Sequence, residues 1–294
     1  MPQGRIMKAL SGFYYVRWEQ GTAACRARGK FRAEGVTPLV GDFVAFEPEA
    51  NGSGTVTEVL PRKNRFLRPA VANVDALVLL CANVNPVTDP FLVDRVAVIA
   101  EHVGCGVLIC INKCDLDPGD ELWNAFTRNT GYPVLRTSAV TGEGVEELTG
   151  LIRGRTVAFT GNSGVGKSSL LKCIAPSLEV QVGEVSRALG RGRHTTRHIE
   201  LYDAGEDTLI ADTPGFSSFD LSRMPPIPKE ELQRCFPEFL PYLGRCRFDD
   251  CAHLKEPGCA VLDALRAGNI APSRHRSYVR LREAAGQLKA WEQK

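Results

Sequence analysis

The chain has 294 residues, of which 44% are hydrophobic and 24% are charged, values that are usual for a globular protein of two or three domains. No apolar run reaches the ~18 residues that span a bilayer, and the N-terminus lacks the apolar core of a secretion signal. We therefore expect a cytoplasmic protein with no membrane partner. Its ten cysteines then indicate burial or metal binding rather than a disulfide framework.

The net charge of +2 is unevenly distributed along the chain. Residues 1–69 carry eleven Lys and Arg against six Asp and Glu, residues 70–222 carry twelve against nineteen, and residues 223–294 carry thirteen against nine. An acidic middle between basic ends indicates a polyanionic partner held by the ends. A solvated surface of mixed charge would give the same counts.

Residues 1–69 are predicted to form a small all-β barrel. The strict alternation over residues 25–32 places basic side chains on one face and apolar ones on the other, which is typical of a half-buried strand. Residues 41–46 and 55–59 predict two further strands. Several short strands in this length favour an OB-fold, which binds nucleic acid through an exposed strand face. An SH3-like barrel would give the same pattern.

Residues 70–222 alternate between apolar strands and helical patterns, which predicts a mostly parallel sheet covered on both faces, an α/β fold. The predicted strands are 74–81, 107–111, 133–137, 156–160 and 208–211. Helices between them are predicted at 91–102 and 144–152.

An N-K-C-D segment follows the second of these strands, at the strand end where ligands of such sheets bind. The Asp115 carboxylate can accept hydrogen bonds from the N1–H and N2–H donors of guanine, a pair that adenine lacks. Asn112 would brace the loop, and the stem of Lys113 would cover the base. Ser138 and Ala139 follow the next strand, where the Ala139 N–H could donate to guanine O6. The two segments predict a guanine site.

A phosphate-binding loop of the pattern G-x-x-x-x-G-K-[ST] follows the strand at 156–160 and precedes a helix. Its glycines let backbone N–H groups wrap the phosphates, and the helix N-terminus adds a positive dipole end. Lys167 would neutralise charge on the β- and γ-phosphates, and Ser168 would bind Mg²⁺. The predicted nucleotide-binding residues here are Gly161, Asn162, Ser163, Gly164, Val165, Gly166, Lys167, Ser168 and Ser169.

A second phosphate motif, D-T-P-G, ends the strand at 208–211. The Asp212 carboxylate would hold Mg²⁺ through a water molecule, and the Gly215 N–H could meet the γ-phosphate. D-x-x-G alone is a weak signal, but its position after a strand and about 45 residues beyond the phosphate-loop lysine strengthens it.

A Gly- and Arg-rich segment at 190–197 lies between the two phosphate motifs and is typical of a switch region. Thr195 or Thr196 would close over Mg²⁺ in the GTP state. Phe216 stands where many GTPases place a water-orienting Gln, and its apolar ring cannot do that work. His194 is therefore the candidate that orients the attacking water, with a nucleic-acid contact or a structural hydrogen bond as its alternative role.

The base motifs precede the phosphate motifs, which reverses the usual GTPase order. The same sheet can form from a rotated chain order because the termini of compact domains often lie close together. The chain is thus predicted to carry a circularly permuted P-loop GTPase domain whose second switch runs directly into residues 223–294.

Residues 223–294 begin with a proline-rich break and are predicted to form a mainly helical zinc-binding domain. Three thiols and one imidazole lie within fourteen residues, a set that Zn²⁺ binds tetrahedrally in structural sites. These ligands are Cys246, Cys251, His253 and Cys259. An amphipathic helix is predicted from Tyr278 to Trp291.

These motifs together resemble one family, the bacterial circularly permuted small-ribosomal-subunit-dependent GTPase A (RsgA/YjeQ) family, over the whole chain. The permuted order and the spacing of the four zinc ligands carry this resemblance. It implies an N-terminal OB-fold over 1–69, a GTPase domain over 70–222 and a zinc domain over 223–294. It also implies GTP hydrolysis stimulated by the small ribosomal subunit, binding of its rRNA, and a role in late subunit maturation. We expect the protein to act as a monomer.

The sequence leaves two other functions open. An RNA-binding module could use GTP only as a structural ligand, which Phe216 favours and the complete Mg²⁺ set opposes. The second alternative function is that of an ATP-dependent P-loop enzyme, and Asp115 argues against this alternative. In the preferred mechanism, water attacks the γ-phosphate while Lys167 and Mg²⁺ stabilise the charge, and rRNA binding orders the segment at 190–197.

Overall fold

A computed structural model gives the structure of the chain and describes residues 1–29, 31, 35–49, 52–67, 70–176, 199–212 and 227–286, with only the backbone of Asp212. The switch segment predicted at 190–197, with His194, Thr195 and Thr196, lies outside these ranges, as do Gly215 and Phe216. Within them, no helix is long and apolar enough to cross a membrane.

The N-terminal region forms a closed five-stranded barrel. Its strands are β1 (Gln3–Leu10), β2 (Phe13–Trp18), β3 (Gly21–Ala27), β4 (Phe43–Pro48) and β5 (Ser53–Val59). They follow the order β1-β2-β3-β5-β4, with β3 and β5 parallel, and β4 pairs back onto β1. This Greek-key closure around fully buried Val16, Phe46 and Val56 is the OB-type arrangement, as predicted.

The prediction of one strand over residues 25–32 was wrong beyond residue 27. β3 ends at Ala27, which is also where its pairing with β5 stops. The Phe31 N–H donates to the Arg28 carbonyl at 3.2 Å, a hydrogen bond between residues three apart that a continuous strand does not make. The Arg28 guanidinium instead forms an ion pair with Glu47 at 2.8 Å.

A second correction concerns β4, which begins at Phe43 rather than at residue 41. Gly41 has a positive φ of 92°, which an extended strand does not adopt. The Asp42 carboxylate accepts a hydrogen bond from the Leu39 N–H at 2.7 Å and pairs with Arg62, so residues 39–42 form a buried turn before the strand.

The central region is a mostly parallel sheet, as predicted. Its parallel strands, in spatial order, are β10 (Val134–Thr137), β9 (Gly106–Asn112), β8 (Ala76–Cys81), β11 (Thr156–Gly161) and β13 (Leu209–Asp212). β12 (Ile199–Asp203) runs antiparallel to β13, and β6 (Arg65–Leu67) and β7 (Ala70–Ala72) form a separate hairpin. Every residue of β8 is buried, as a strand covered on both faces requires.

The barrel and the central sheet are hydrogen-bonded to each other, which the sequence did not predict. β1 pairs antiparallel with β12, with Lys8 opposite Glu200 and Ala9 opposite Ile199. The Lys8 ammonium lies 3.0 Å from the Glu200 carboxylate across this seam. The two regions therefore share one continuous sheet of eleven strands.

Four helices belong to the central region and two to the C-terminal region of the described chain. They are α1 (Pro90–His102), α2 (Asp120–Thr127), α3 (Val145–Ile152), α4 (Lys167–Ile174), α5 (Ala260–Arg266) and α6 (Pro272–Gly286), with short 3-10 helices at Leu232–Cys235 and Pro237–Tyr242. The predicted terminal helix begins six residues earlier than expected, at Pro272, a residue well suited to a first helical turn. Residues 287–294 of that prediction lie outside the described ranges.

A buried guanidinium fastens the C-terminal region to the central one. Arg274, on α6, donates to both oxygens of Glu238 at 2.7 and 3.0 Å and to Asp94, on α1, at 2.6 Å. All three side chains are at most 1% exposed. The Phe236 ring lies under this guanidinium, with 4.8 Å between the ring centroid and Cζ of Arg274. The two regions thus meet through a desolvated charge cluster as well as through apolar contacts.

Candidate functional site

The predicted base-binding segments lie side by side because β9 and β10 are parallel neighbours. Asn112 at the end of β9 stands in register with Thr137 at the end of β10. The Cys114 N–H donates to the Thr137 carbonyl at 3.1 Å, which extends the pairing past the strand ends. The two loops therefore leave the sheet at one edge, where ligands of parallel sheets bind.

Asn112 links the loop that follows β9, called the base loop below, to the phosphate loop that follows β11. Its side chain is 1% exposed, and its amide nitrogen donates to the Val165 carbonyl at 2.8 Å. Its amide oxygen accepts from the Thr137 hydroxyl at 3.1 Å. Both ends of the amide are satisfied, so its orientation is fixed and it holds three loops at set distances.

The phosphate loop connects β11 to α4 and approaches Asn112 closely. Gly166 immediately precedes α4 with a φ of +96°, and a Cβ there would lie 2.3 Å from the Asn112 amide nitrogen. Only glycine fits this position, for its backbone angle and for its space. The loop thus brings Lys167 to the first residue of the helix, while Ser168 and Ser169 are exposed at the helix N-terminus.

The loop after β8 forms one side of the same site. The Lys113 ammonium donates to the Asn85 carbonyl, and Pro86 Cδ lies 3.5 Å from where a Cβ of Gly164 would stand. Two residues before Asn85 in the 83–86 segment, the Asn83 amide donates at 3.0 Å to Asp117. This segment therefore contacts the base loop and approaches the phosphate loop, although the sequence analysis did not single it out.

Ser138 shapes the turn that carries Ala139. The buried Ser138 hydroxyl accepts hydrogen bonds from the N–H groups of Val140 at 3.2 Å and Thr141 at 3.1 Å. The Ala139 carbonyl accepts from the Cys173 thiol on α4 at 3.5 Å. This serine thus acts on the loop backbone, which leaves the neighbouring alanine at the open edge of the sheet.

Asp115 and Asp212 reach this edge from different strands. Asp115 is exposed in the base loop, three residues beyond the end of β9. Asp212 is the last residue of β13, which pairs in parallel with β11, the strand that leads to the phosphate loop. The base, phosphate and D-x-x-G motifs therefore meet at the carboxyl ends of neighbouring strands, as far as the described residues extend.

A second cluster of chemically active side chains lies in the C-terminal region. The ligand atoms of Cys246, Cys251, His253 and Cys259 all lie within 4.8 Å of one another. His253 Nδ1 is 3.6 Å from the Cys246 sulfur and 3.3 Å from the Cys259 sulfur. Burial raises the pKa of the Cys251 thiol to about 12 and lowers the pKa of His253. A buried neutral imidazole facing three thiols is a donor set that suits a divalent metal of the zinc type.

Gln233 fixes which nitrogen of His253 faces the sulfurs. Its side-chain oxygen lies 2.8 Å from His253 Nε2, and an amide oxygen can only accept, so Nε2 carries the proton. Nδ1 is then the unprotonated nitrogen, and it points into the cluster. Such an outer partner is what metal-bound histidines use to hold their orientation. No spacing pattern in the sequence links residue 233 to residue 253, and only the folded chain reveals this contact.

Comparisons with known proteins agree with this arrangement. A family model described as RsgA GTPase matches residues 59–222, and one described as RsgA N-terminal domain matches residues 3–56. The small ribosomal subunit biogenesis GTPase RsgA of Caldanaerobacter subterraneus subsp. tengcongensis is 43% identical over 95% of this chain and 94% of its own length. Its namesake from Bacillus anthracis is 45% identical over 95% of each chain.

Solved structures give the same result for the fold. The crystal structure of YjeQ from Thermotoga maritima matches with a TM-score of 0.82 and 35% identity, over 98% of this chain and 99% of that one. YloQ, described as a circularly permuted GTPase, matches with a TM-score of 0.78 and 36% identity, over 98% and 96% of the two chains.

Proposed function

This chain belongs to the RsgA GTPase family, and we propose that it binds the small ribosomal subunit, hydrolyses GTP there and assists late maturation of that subunit. The observation that carries the proposal is the Asn112 amide, which joins the base loop to the carbonyl of Val165 at 2.8 Å. This hydrogen bond fixes the distance between the guanine-selective base loop and the phosphate loop. The ribosomal part of the proposal comes from the relatives, which are named as small ribosomal subunit biogenesis GTPases.

The nucleotide is held by the two loops at the edge of the sheet. Asp115 accepts from guanine N1–H and N2–H, the Ala139 N–H meets O6, and the Lys113 stem covers the base while its ammonium is held by the Asn85 carbonyl. The remaining predicted contacts, with the phosphates and through the loop backbone, come from Gly161, Asn162, Ser163, Gly164, Val165, Gly166, Lys167, Ser168, Ser169, Asp212 and Gly215, with Asn112 and Ser138 bracing the base loop.

Hydrolysis proceeds by attack of water on the γ-phosphate. Lys167 neutralises the developing charge, and Ser168 and Asp212 would hold Mg²⁺, which would supply further positive charge to the phosphates. His194 orients the attacking water, and Thr195 or Thr196 closes over the site. Because these three switch residues lie outside the described ranges, their roles rest on the sequence pattern alone.

The four-residue cluster of the C-terminal region binds Zn²⁺ as a structural ion. All four ligands come from the protein, which leaves no open position for chemistry. The outer contact from Gln233 to His253 supports the assignment. In this reading residues 1–69, 70–222 and 223–294 are the barrel, GTPase and zinc domains, and the chain acts as a monomer in the cytoplasm with the subunit's rRNA as the polyanion it contacts.

Phosphate release tests the proposal. GTP and ATP are each supplied with and without purified small ribosomal subunits, at two salt concentrations. We expect slow turnover of GTP alone, little turnover of ATP, and a large increase with subunits that fades at high salt, because phosphate contacts release counterions. Turnover that subunits leave unchanged would remove the ribosomal role while leaving the GTPase assignment intact. Equal turnover of ATP would contradict the guanine site.

A further inference from the structure

Two arginines share one aromatic ring where α1 meets α6. The Arg280 guanidinium carbon lies 3.7 Å from the centroid of the Phe91 ring, and that of Arg95 lies 5.8 Å from the same centroid. Arg95 and Phe91 belong to the GTPase region and Arg280 to the C-terminal region. The ring therefore holds two positive charges together at the seam between the regions.

Nothing in the described part of the chain neutralises this pair. Arg95 and Arg280 have no carboxylate partner among those residues, whereas Arg274, six residues earlier on α6, has two. Burial and the nearby charge of Arg280 both lower the pKa of Arg95, so the two cations repel each other. Stacking on the Phe91 ring offsets only part of this repulsion.

The cationic surface continues along α6. Arg276 is exposed four residues before Arg280, which places both on one face of the helix. The exposed Glu283 lies three residues beyond Arg280 without an ion pair to it within the described residues. Arg276 and Arg280 thus face solvent beside the partly buried Arg95. A stacked guanidinium keeps its N–H edges free for an outside acceptor.

We propose that Arg95 and Arg280, held by Phe91, bind a backbone phosphate of RNA across the seam between α1 and α6. This inference rests on the proposed function, which makes rRNA the partner. Guanidinium groups bind phosphate through paired N–H donors, and a phosphodiester would relieve the repulsion between the two cations. The proposed contact lies on α1, the helix that follows the loop whose Asn85 accepts from Lys113 in the nucleotide site.

The test measures binding of the full chain to purified small ribosomal subunits over a series of salt concentrations. The variants are Arg95→Gln, Arg280→Gln and Phe91→Leu, each in the presence of a non-hydrolysable GTP analogue. The matched control is Arg153→Gln, which removes one positive charge from an exposed ion pair between the turn after α3 and Glu206 in the turn between β12 and β13. Thermal unfolding and GTP affinity of each variant confirm that the fold and the nucleotide site are intact.

Each arginine variant is expected to bind about tenfold more weakly at low salt, and its slope of log K against log salt is expected to shrink by about one. Phe91→Leu should show a smaller loss, because the charges stay but their placement relaxes. Variants that match Arg153→Gln would overturn the inference and leave the proposed function standing. A weaker affinity with an unchanged slope would show that the arginine contacts no phosphate, and it would also overturn the inference. Wild-type protein that binds no subunits would overturn both.

Discussion

The side-chain amide nitrogen of Asn112 donates a hydrogen bond to the main-chain carbonyl of Val165, with 2.8 Å between the two atoms. The first residue belongs to the base loop and the second to the phosphate loop, and the amide is buried. One side chain therefore sets the distance between the halves of the site. Loss of that side chain should disturb both halves at once, whichever nucleotide is bound.

Asn112→Ala is expected to lower the affinities for GTP and for GDP by similar factors, about 10- to 100-fold. The change leaves the buried Val165 carbonyl without its donor, which costs about 1–3 kcal/mol. Titration with a fluorescent analogue of each nucleotide measures both affinities. Thr137→Val is the matched control, because it removes the 3.1 Å hydrogen bond to the amide oxygen and keeps the bond to Val165. A loss confined to GTP would show that Asn112 acts at the γ-phosphate rather than as a brace.

Asp115→Asn tests the base contact itself. Replacing the carboxylate by an amide opposes a donor to a guanine donor, so GTP affinity should fall by roughly 100-fold while the weak affinity for ATP stays unchanged. Competition between the two nucleotides for the labelled analogue reports the ratio directly. Asp117→Asn serves as the control, since Asp117 accepts from the Asn83 amide and the Gly119 N–H and braces the loop away from the base. Unchanged selectivity in Asp115→Asn would contradict the guanine site.

The sequence allowed the sheet to be predicted where each strand is uniformly apolar, as in β8, whose six residues are all buried. It failed where a partner decides the structure. β12 and its pairing with β1 depend on contacts nearly 200 residues apart, such as Ala9 with Ile199, and no local pattern encodes them. The alternation over 25–32 was misleading because a strand lasts only as long as its neighbour, here β5, continues to pair with it.

The charge cluster around Arg274 should contribute strongly to stability. Arg274→Met leaves the carboxyl groups of Asp94 and Glu238 buried without their cation, which is expected to lower the free energy of unfolding by about 3–5 kcal/mol. Denaturant unfolding followed by far-ultraviolet circular dichroism measures this loss. Arg266→Met, which breaks an exposed pair with Asp263, should cost no more than about 1 kcal/mol. Equal losses in the two variants would mean that the cluster does not fasten α6 to α1.

The same cluster predicts a pH dependence. Burial raises the pKa of Asp94 above its usual value of 3.8. The folded chain therefore holds this proton to higher pH than the unfolded chain does, and the free energy of unfolding falls as pH rises from 3.8 through the raised pKa. Asp94→Asn lacks the titrating group. The difference in stability between wild type and variant should thus decline over that window and become constant above it. A difference that grows with pH would show that the pKa of Asp94 is lowered instead.

The site residues divide in the same way as the fold. Residues that are close together in the sequence could be predicted from spacing, such as the glycine that precedes α4 or the four clustered side chains proposed to bind zinc. The residues that orient them could not be, because Asn85 and Gln233 act across loops through one carbonyl or one amide oxygen. Neither residue type is rare at a surface, so neither carries a signal until the chain is folded.

Gln233→Ala is expected to lower zinc affinity about 10- to 100-fold, the usual effect of removing an outer partner from a metal-bound histidine. The imidazole would lose the acceptor that keeps the proton on Nε2, so Nδ1 would face the three sulfurs for less of the time. Competition with a chromogenic chelator measures the affinity, and metal analysis of the wild type should give one zinc per chain. Gln20→Ala, an exposed change in the barrel, is the control. Cys259→Ser should abolish binding, because Cys259 is proposed to supply one of the four ligands and also caps α5, where its sulfur accepts from the Leu262 N–H at 3.4 Å. If Gln233→Ala retained full affinity, the contact would only pack the histidine ring, and the choice of Nδ1 as the ligand atom would lose its support.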